Sequence, residues 1–518
     1  MGVPLVKLVM FVRKKRNKSG STSVQIISKE GGYYKVVQTV GSSRDVHEIE
    51  RLVLQGEQTL HASAPEQPWL LPVQSMEELA VEEFVASLSA SQIRTVGPEL
   101  IFGALFDRIG FDAIKDELFR HITIARLVYP VSKLKTIDYL YRYQGRSVSV
   151  YTIYRFMDKL NRNYKETIEA IAYRHTKHRL KSISVVFYDM TTLYFEAEDE
   201  DDLRKIGFSK DGKFQNPQIM LGLLVGEEGL PIGYDIFEGN TFEGHTLLPT
   251  LKKIQQKYGF EKPVVVADAG LLSKQNLRNL SSEKYRFIIG ARLKNEEAQT
   301  KLDILSKRPG MKNGDSFEIQ KPDGVRLIVS YSDKRARKDA ANRVKGIKKL
   351  RAHIKFGRLT KEHISNRGYN KFLTMTGDAI VAIDEEKIKQ DESWDGLKGY
   401  LTSTLMPAPE IIENYKHLWQ IEKAFRISKT DLKIRPVYHY QRKRIEAHIC
   451  IAFVAYTIYK ELERLLEAGN TGMSPKRATE LTHTMYELNY SPPGSAEKKR
   501  KLLKLDEEQQ LLYNTIHD

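Results

Sequence analysis

Residues 184–195 read S-V-V-F-Y-D-M-T-T-L-Y-F, and this stretch decides the fold that we expect. The four residues before Asp189 are β-branched or aromatic, which predicts a buried strand that ends at the acid. Residues 263–270, P-V-V-V-A-D-A-G, repeat the pattern around Asp268. A single aspartate in such a position is most often a turn residue or a helix cap. Two such strands lying side by side would instead place two carboxylates within reach of one ion.

The elements around the two acids follow a definite order. After the Asp189 strand we predict a hairpin at 218–225 and 231–237 and an amphipathic helix at 246–258. The Asp268 strand at 263–267, a helical turn region from 273 and a further strand at 285–290 follow. Strand, strand, strand, helix, strand, helix, strand is the order of a ribonuclease-H-like core, in which the first and fourth strands are neighbours. We therefore predict an α/β fold in which residues 181–290 form the first part of such a core.

Composition indicates a folded, basic protein. The 518 residues suffice for three or four units of ordinary domain size, and 41% of them are hydrophobic. A formal charge of +16 and a pI of about 9.4 favour an anionic partner, either nucleic acid or an anionic membrane. The longest apolar stretch near the C-terminus, 449–459, is too short to span a bilayer, and the single Cys450 excludes intramolecular disulfides and a cysteine-based zinc cluster. We expect a cytoplasmic protein with no membrane association.

The N-terminal residues 1–60 predict a small β-rich unit. Residues 23–27 and 33–40 have strand-like composition and are joined by a Gly-Gly pair. The run R-K-K-R-N-K at 13–18 forms a basic tip, which is either a solvated loop or a contact to the DNA backbone.

A linker and a helical region lie between this unit and the core. Pro65, Pro68 and Pro72 mark the linker. Residues 76–180 carry apolar residues at helical spacing, and they form either a helical scaffold or a helical DNA-binding region. No sequence feature identifies a recognition helix.

An insertion over residues 291–395 interrupts the core. Its strand-like pieces at 326–330, 371–376 and 380–383 predict a β-rich insertion. The segment 334–361 holds twelve Lys and Arg residues against one acid, and we favour contact with phosphates over a solvated basic face because like charges at this density repel. The DNA-binding candidates in this segment are Lys348, Lys349 and Arg351.

The core resumes over residues 396–465 with a strand and a long helix, and residues 466–518 form a C-terminal tail. From Glu410 onward, one helical face carries Tyr415, Leu418, Glu422, Phe425 and Lys429, which are spaced by three, four, three and four. Glu422 lies within an apolar stripe, so its carboxylate must be paired or must stay at the rim of the core. It pairs with Lys429 or Arg426, or it completes an oxygen-ligand site with Asp189 and Asp268 that suits Mg²⁺ or Mn²⁺.

Residues 181–460 resemble the DDE transposases of bacterial insertion sequences. The resemblance is to the branch whose glutamate helix reads Tyr, two residues, Arg, three residues, Glu, six residues, Lys. Tyr415, Glu422 and Lys429 stand at these offsets, and the segments Y-D-M-T-T and V-A-D-A-G are similar to the two aspartate motifs of the branch. Leu418 occupies the arginine position, and Arg426 lies two turns further along the helix.

The resemblance implies a DNA transposase that binds the terminal inverted repeats of an insertion sequence. It implies metal-dependent phosphodiester hydrolysis followed by strand transfer, with Asp189, Asp268 and Glu422 as catalytic residues that hold two Mg²⁺ or Mn²⁺ ions. Tyr415, Arg426 and Lys429 would contact double-stranded DNA. The implied protein works as a homodimer on paired ends and associates with the nucleoid.

Two other functions fit the same residues. A ribonuclease-H-like nuclease would cleave nucleic acid without joining it, and a DNA-binding relative would have lost catalysis. Leu418 at the arginine position leaves open whether hairpin intermediates form.

Overall fold

The computed structural model describes residues 9–30, 32–63, 76–259, 261–271, 273–355, 368–376, 380–492, 495 and 497–518. The predicted proline linker lies outside these residues, as does the end of the basic segment from residue 356 onward. The chain divides into two compact units, Met1–Arg94 with Tyr486–Leu503, and Thr95–Met485 with Lys504–Asp518.

The first unit contains an antiparallel sheet covered by a helix. Its strands are Val9–Arg16, Thr22–Glu30 and Tyr33–Ser43, and the helix is Val46–Ser63. The two strands predicted here are confirmed. The prediction of a basic loop at 13–18 is wrong for its first four residues, because their backbone pairs with the second strand from Gln25 to Thr22.

The prediction for residues 1–60 also missed the covering helix. Its many polar residues made the apolar stripe at helical spacing difficult to recognise in the sequence. The remaining elements of this part of the chain are the helix Met76–Ser87 and the short strands Ile93–Thr95, Tyr486–Tyr490 and Lys499–Leu502.

The second unit is built on an eight-stranded mixed sheet. In spatial order its strands are Ser316–Gln320, Arg326–Tyr331, Leu397–Thr402, Arg286–Ala291, Val264–Ala267, Val185–Tyr194, Gln218–Val225 and Pro231–Glu238. The Asp268 strand (Val264–Ala267) is parallel to the Asp189 strand (Val185–Tyr194) and to Arg286–Ala291, and the other neighbours are antiparallel. The predicted element order and the predicted pairing of the first and fourth strands are confirmed.

The Asp189 strand does not end at its acid. It continues to Tyr194, because the hairpin strand Gln218–Val225 pairs with it as far as that residue. The parallel partner on the other side ends at Ala267, opposite Tyr188. The prediction that the strand stops at Asp189 is therefore wrong, although the sheet becomes narrower at that point.

The insertion is mixed in structure, so the prediction of a β-rich insertion is wrong. Its described elements are the helices Ala298–Lys307, Asp333–Lys355 and Glu385–Glu392 and the strands Ser316–Gln320, Arg326–Tyr331, Leu373–Thr376 and Ile380–Ile383. The first two strands extend the main sheet. The basic segment is helical as far as Lys355, since alanines and long unbranched side chains favour a helix.

A long central helix, Arg442–Ala468, joins the sheet to the helices that precede it. Eighteen of its 27 residues are buried. Its apolar side chains share one hydrophobic core with sheet residues such as Phe187 and with helical residues such as Phe106. The other helices of this unit are Ala104–Ile109, Glu117–Val128, Lys133–Gln144, Val150–Lys159, Lys165–Leu180, Leu247–Tyr258, Lys274–Ser282, Ala408–Lys416, Trp419–Arg426, Pro475–Thr482 and Glu507–His517.

A buried ion cluster holds the central helix to the helix Lys165–Leu180. The side chain of Glu461 is fully buried and accepts hydrogen bonds from Arg179 at 2.8 Å and Arg464 at 2.7 Å, with His175 Nε2 at 3.2 Å. Burial alone would raise the pKa of Glu461, but the hydrogen bonds from Arg464 and His175 outweigh it and lower the pKa to about 2. The ionised form of Glu461 is therefore more stable in the folded protein than in the unfolded chain.

We expect Glu461→Gln to lower the free energy of unfolding by about 3 kcal/mol at pH 7, because the two arginines and the histidine lose the charge that they share. A folded-state pKa below the ordinary value of 4.5 stabilises the protein above pH 4.5, and this stabilisation is lost as the pH falls towards 2. Urea denaturation of both proteins from pH 7 to pH 3 measures the difference, which should narrow below pH 4.5. Glu467→Gln, at an exposed position of the same helix, is the matched control. A difference that does not change with pH would contradict this account.

Candidate active site

Asp189 and Asp268 lie next to each other on two neighbouring central strands of the main sheet, at the level where the Asp268 strand ends. Tyr188 and Ala267 are opposite each other in the parallel ladder, and each acid is the next residue along its strand. Neighbouring strands lie about 4.8 Å apart, so the two acids stand side by side. Burial raises the pKa of Asp189, and the carboxylates of Glu243 and Asp268 raise it further, while Lys210 opposes them. The structure thus brings together two of the three predicted catalytic acids.

Two residues that the sequence analysis did not select lie beside Asp189. Lys210 Nζ lies 2.8 Å from Glu243 Oε1 and 3.6 Å from Asp189 Oδ1, and it donates a hydrogen bond of 2.6 Å to the carbonyl of Met190. The lysine ammonium therefore lies between two carboxylates. Glu243 lies five residues beyond the end of the strand Pro231–Glu238, in the segment G-N-T-F-E-G-H, and an acid in the loop that follows a core strand was the signal that could have identified it.

Tyr415 connects Asp268 to the helix that precedes Glu422. Its hydroxyl donates a hydrogen bond of 3.0 Å to Asp268 Oδ1. Gly290 permits this approach, because a Cβ at that position would lie 2.4 Å from the tyrosine hydroxyl. Burial raises the pKa of Tyr415, and the negative charges of Asp268 and Glu422 add to the effect. The predicted DNA-binding tyrosine thus holds a catalytic candidate in position.

Lys398 lies beside the same tyrosine. Its Nζ is 4.4 Å from the centre of the Tyr415 ring. Burial and the positive charge of Arg335 lower the pKa of Lys398, while Asp268 and Glu422 oppose them. A lone lysine in the apolar strand Leu397–Thr402 was the sequence signal for this residue.

Glu422 lies on the exposed side of its helix. The predicted helix is interrupted, because Ala408–Lys416 ends before Trp419–Arg426 begins and a turn at His417 and Leu418 separates them. Tyr415, Leu418 and Phe425 of the predicted face are nevertheless buried. Within the described residues Glu422 has no hydrogen bond or ion pair, so the predicted pairing with Lys429 or Arg426 is absent there.

Glu422 nevertheless acts electrostatically on Tyr415 and Lys398, both of which also feel Asp268. In the described part of the chain, no three His, Cys, Asp or Glu side chains are close enough to hold a metal ion as they stand. Asp189 and Asp268 are adjacent, and Glu422 is linked to them in this structure only through its electrostatic effect on Tyr415 and Lys398.

The predicted DNA-binding residues have different surroundings. Lys429 Nζ lies 3.2 Å from Asp211, which also pairs with Arg435 at 2.7 Å. Burial lowers the pKa of Lys429, and Arg435 and Lys210 lower it further against the opposing charge of Asp211. Arg351 pairs with Glu385 at 3.1 Å. The side chains of Arg426, Lys348 and Lys349 are exposed.

A cavity of about 740 Å³ opens beside Asp268. The insertion forms its far wall, and the basic residues that line it are Arg292, Lys294, Arg335, Arg343 and Lys398. Arg343 is committed to a structural role, because its guanidinium binds both carboxylate oxygens of Asp395 at 2.7 and 2.6 Å. Lys348, Lys349 and Arg351 do not line this cavity.

By its fold, the chain is a mixed α/β protein in which two aspartates lie side by side on neighbouring central strands, next to a cavity lined by both basic and acidic residues. A family model described as the transposase DDE domain matches residues 180–458, more than half of the chain. The chain therefore belongs to the DDE transposase family. No curated protein matches it.

One solved structure that resembles the chain is a cryo-EM structure of the piggyBac transposase synaptic complex with hairpin DNA. The identity is 9% and the TM-score is 0.38, and the match covers 85% of this chain and 78% of the other. Within the described residues, no helix is both long and apolar enough to cross a membrane.

Proposed function

We propose that this protein is an active DNA transposase with a ribonuclease-H-like core, which binds terminal inverted repeats and catalyses strand cleavage and strand transfer. The observation that carries the proposal is the side-by-side position of Asp189 and Asp268 at the point where the Asp268 strand ends. Membership of the DDE transposase family supports it.

The acidic residues suit a hard divalent cation. Asp189, Asp268 and Glu422 would hold Mg²⁺ or Mn²⁺ through carboxylate oxygens, which these ions prefer. Burial raises the pKa of Asp189, repulsion from Glu243 and Asp268 adds to the effect, and a bound cation would relieve that repulsion. Two such ions, when held by these carboxylates, would supply activation of an oxygen nucleophile and stabilisation of the leaving 3′ oxygen. Glu422 would have to approach the two aspartates when the ions and DNA bind.

The basic residues would position the DNA. Lys398 and Arg335 line the cavity beside Asp268 and would attract phosphates into it. Lys429 would exchange its contact with Asp211 for a phosphate at the DNA end. Lys348, Lys349 and Arg351 lie on one basic helix outside the cavity and would contact a more distant part of the duplex. Tyr415 would orient Asp268, and Arg426 is exposed and available to DNA.

We expect Lys210→Gln to tighten Mn²⁺ binding by about tenfold, because the ammonium now lies between Asp189 and Glu243 and competes with a cation for their charge. Calorimetric titration of the DNA-free protein with Mn²⁺ measures the affinity without any activity assay. Lys213→Gln removes an exposed lysine of the same loop and is the matched control. Unchanged affinity in Lys210→Gln would mean that Lys210 does not compete with the ion.

The proposed function is tested by incubating the full-length protein with Mg²⁺, a target plasmid and duplexes that carry the inverted repeats flanking its gene. Cleaved ends joined to the plasmid are the expected product, and sequencing across the junction identifies it. Cleavage without joining would favour a nuclease, and binding without cleavage would favour an inactive DNA-binding relative. Sizing of the protein on paired ends tests the proposed homodimer.

A further inference from the structure

Four basic side chains are buried together away from the candidate active site. Arg126 and Lys133 are each 5% exposed, and His439 and His448 are 7% and 5% exposed. Arg126 lies on the helix Glu117–Val128, Lys133 is the first residue of the helix Lys133–Gln144, and His448 lies on the central helix. None of the four lines the cavity beside Asp268.

Arg126 and His448 contact one irregular segment, residues 432–439, to which His439 belongs, and Lys133 acts electrostatically on Arg126's neighbour His439. Arg126 Nη1 donates long hydrogen bonds of 3.4 Å to the carbonyls of Leu432 and Lys433. His448 Nε2 lies 2.9 Å from the carbonyl of Ile434, and the His439 ring lies 5.4 Å from the His448 ring. The second nitrogen of His448, Nδ1, is buried and has no partner.

No acid balances this cluster within the described residues. Lys133 Nζ has neither an ion pair nor a hydrogen bond there. Burial lowers the pKa of Arg126 to about 10, and burial together with Arg126 lowers the pKa of Lys133, with no carboxylate acting against either shift.

Other buried cations in this protein have acidic partners. Arg343 binds Asp395, and Lys460 pairs with Glu463. Two buried cations without a counter-ion cost several kcal/mol. The unpaired cluster is therefore an exception to the way in which this chain buries its charges.

We propose that Arg126, Lys133, His439 and His448 form a binding site for a small oxyanion of the phosphate class. The guanidinium fork, the ammonium and an N–H of His439 would donate to its oxygens. His448 donates its Nε2–H to the carbonyl of Ile434, so its unpartnered Nδ1 would accept a hydrogen bond from a hydroxyl of the protonated oxyanion. The N-terminus of the helix Lys133–Gln144 adds a partial positive charge. The burial of all four side chains fits a free oxyanion and excludes a rigid duplex from direct access. This inference does not depend on the proposed transposase activity.

Calorimetric titration of the full-length protein with inorganic phosphate tests the site, at an ionic strength held constant with chloride. We expect one phosphate per chain and at least tenfold weaker binding by Lys133→Met. Lys135→Met removes an exposed lysine of the same helix and should bind like the parent. In thermal unfolding, saturating phosphate should raise the Tm of the parent by about 2 °C and leave that of Lys133→Met unchanged.

Without phosphate, Lys133→Met should be at least as stable as the parent, because it removes an uncompensated buried charge, so weaker binding will not reflect unfolding. Lys133→Gln provides a second, polar variant. No saturable binding by the parent, or equal binding by parent and Lys133→Met, would overturn the proposal. A 16-base-pair duplex without terminal repeats, added as competitor, should leave phosphate binding unchanged. Displacement of phosphate by the duplex would overturn the assignment to a free oxyanion and identify a DNA phosphodiester instead.

Discussion

Asp189→Asn is expected to reduce DNA strand cleavage by at least about 1,000-fold, which corresponds to about 4 kcal/mol of activation free energy. The substitution removes one charged oxygen ligand at the position where the Asp189 and Asp268 strands meet, and a neutral amide binds a hard divalent cation much more weakly. Cleavage of end-containing duplexes under single-turnover conditions measures the rate. Mn²⁺ titration should show a parallel loss of metal affinity.

The charges around Asp189 allow a loss of cleavage to be distinguished from a loss of folding in the Asp189→Asn variant. Burial and two neighbouring carboxylates raise its pKa, so in the metal-free protein the charge on Asp189 costs more free energy in the folded state than in the unfolded chain. The metal-free Asn variant should therefore be as stable as the parent or more stable. Asp235→Asn is the matched control, since Asp235 lies in the same sheet and pairs with Lys253 at 2.6 Å. Cleavage by Asp189→Asn within tenfold of the parent would remove Asp189 from the mechanism.

The two aspartate strands could be predicted from sequence because their signal is local. Each contains a short run of β-branched or aromatic residues that is followed by an acid, and burial on both faces of a sheet produces that composition without reference to distant residues. The order of the elements between them then restricted the topology enough to predict the pairing of the two strands. The extension of the Asp189 strand to Tyr194 was missed because it depends on the pairing with Gln218–Val225.

The contacts between distant segments could not be predicted in the same way. Lys210 and Glu243 are 2.8 Å apart in the folded protein and belong to two different loops, and neither loop has a periodic pattern. The basic helix Asp333–Lys355 was expected to need an external anion. One of its arginines, Arg343, instead pairs with Asp395, which lies after the next two strands of the insertion in sequence. Composition reveals an excess of charge, whereas the pairing of each charge depends on tertiary structure.

Glu422 illustrates the same distinction. The spacing from Tyr415 to Lys429 predicted one continuous helix, which a turn at His417 and Leu418 interrupts, and the spacing did not reveal that Glu422 is exposed. The apolar residues of its helix, Ile421, Ala424 and Phe425, are buried as the pattern requires. The exposed carboxylate is therefore carried by a well-packed helix.

Glu422→Gln is expected to reduce strand cleavage by about 1,000-fold while DNA binding stays within about twofold of the parent. Glutamine keeps the size and the helix propensity of the side chain and removes only its charge, which the proposed metal site requires. Glu422 has no hydrogen bond or ion pair among the described residues, so the substitution should change the free energy of unfolding by less than about 0.5 kcal/mol. Single-turnover cleavage and a gel-shift titration with end-containing duplex measure the two quantities.

Glu413→Gln is the matched control for this prediction. Glu413 is an exposed glutamate on the preceding helix and pairs only with its neighbours Lys416 and His417 in the described structure. Its loss should leave cleavage and binding unchanged, because surface ion pairs contribute little and this one faces no proposed ligand. If Glu422→Gln and Glu413→Gln both cleave like the parent, Glu422 has no part in the chemistry. The third ligand must then be sought among the acids beside Asp189, and Glu243 is the first candidate because its charge raises the pKa of Asp189.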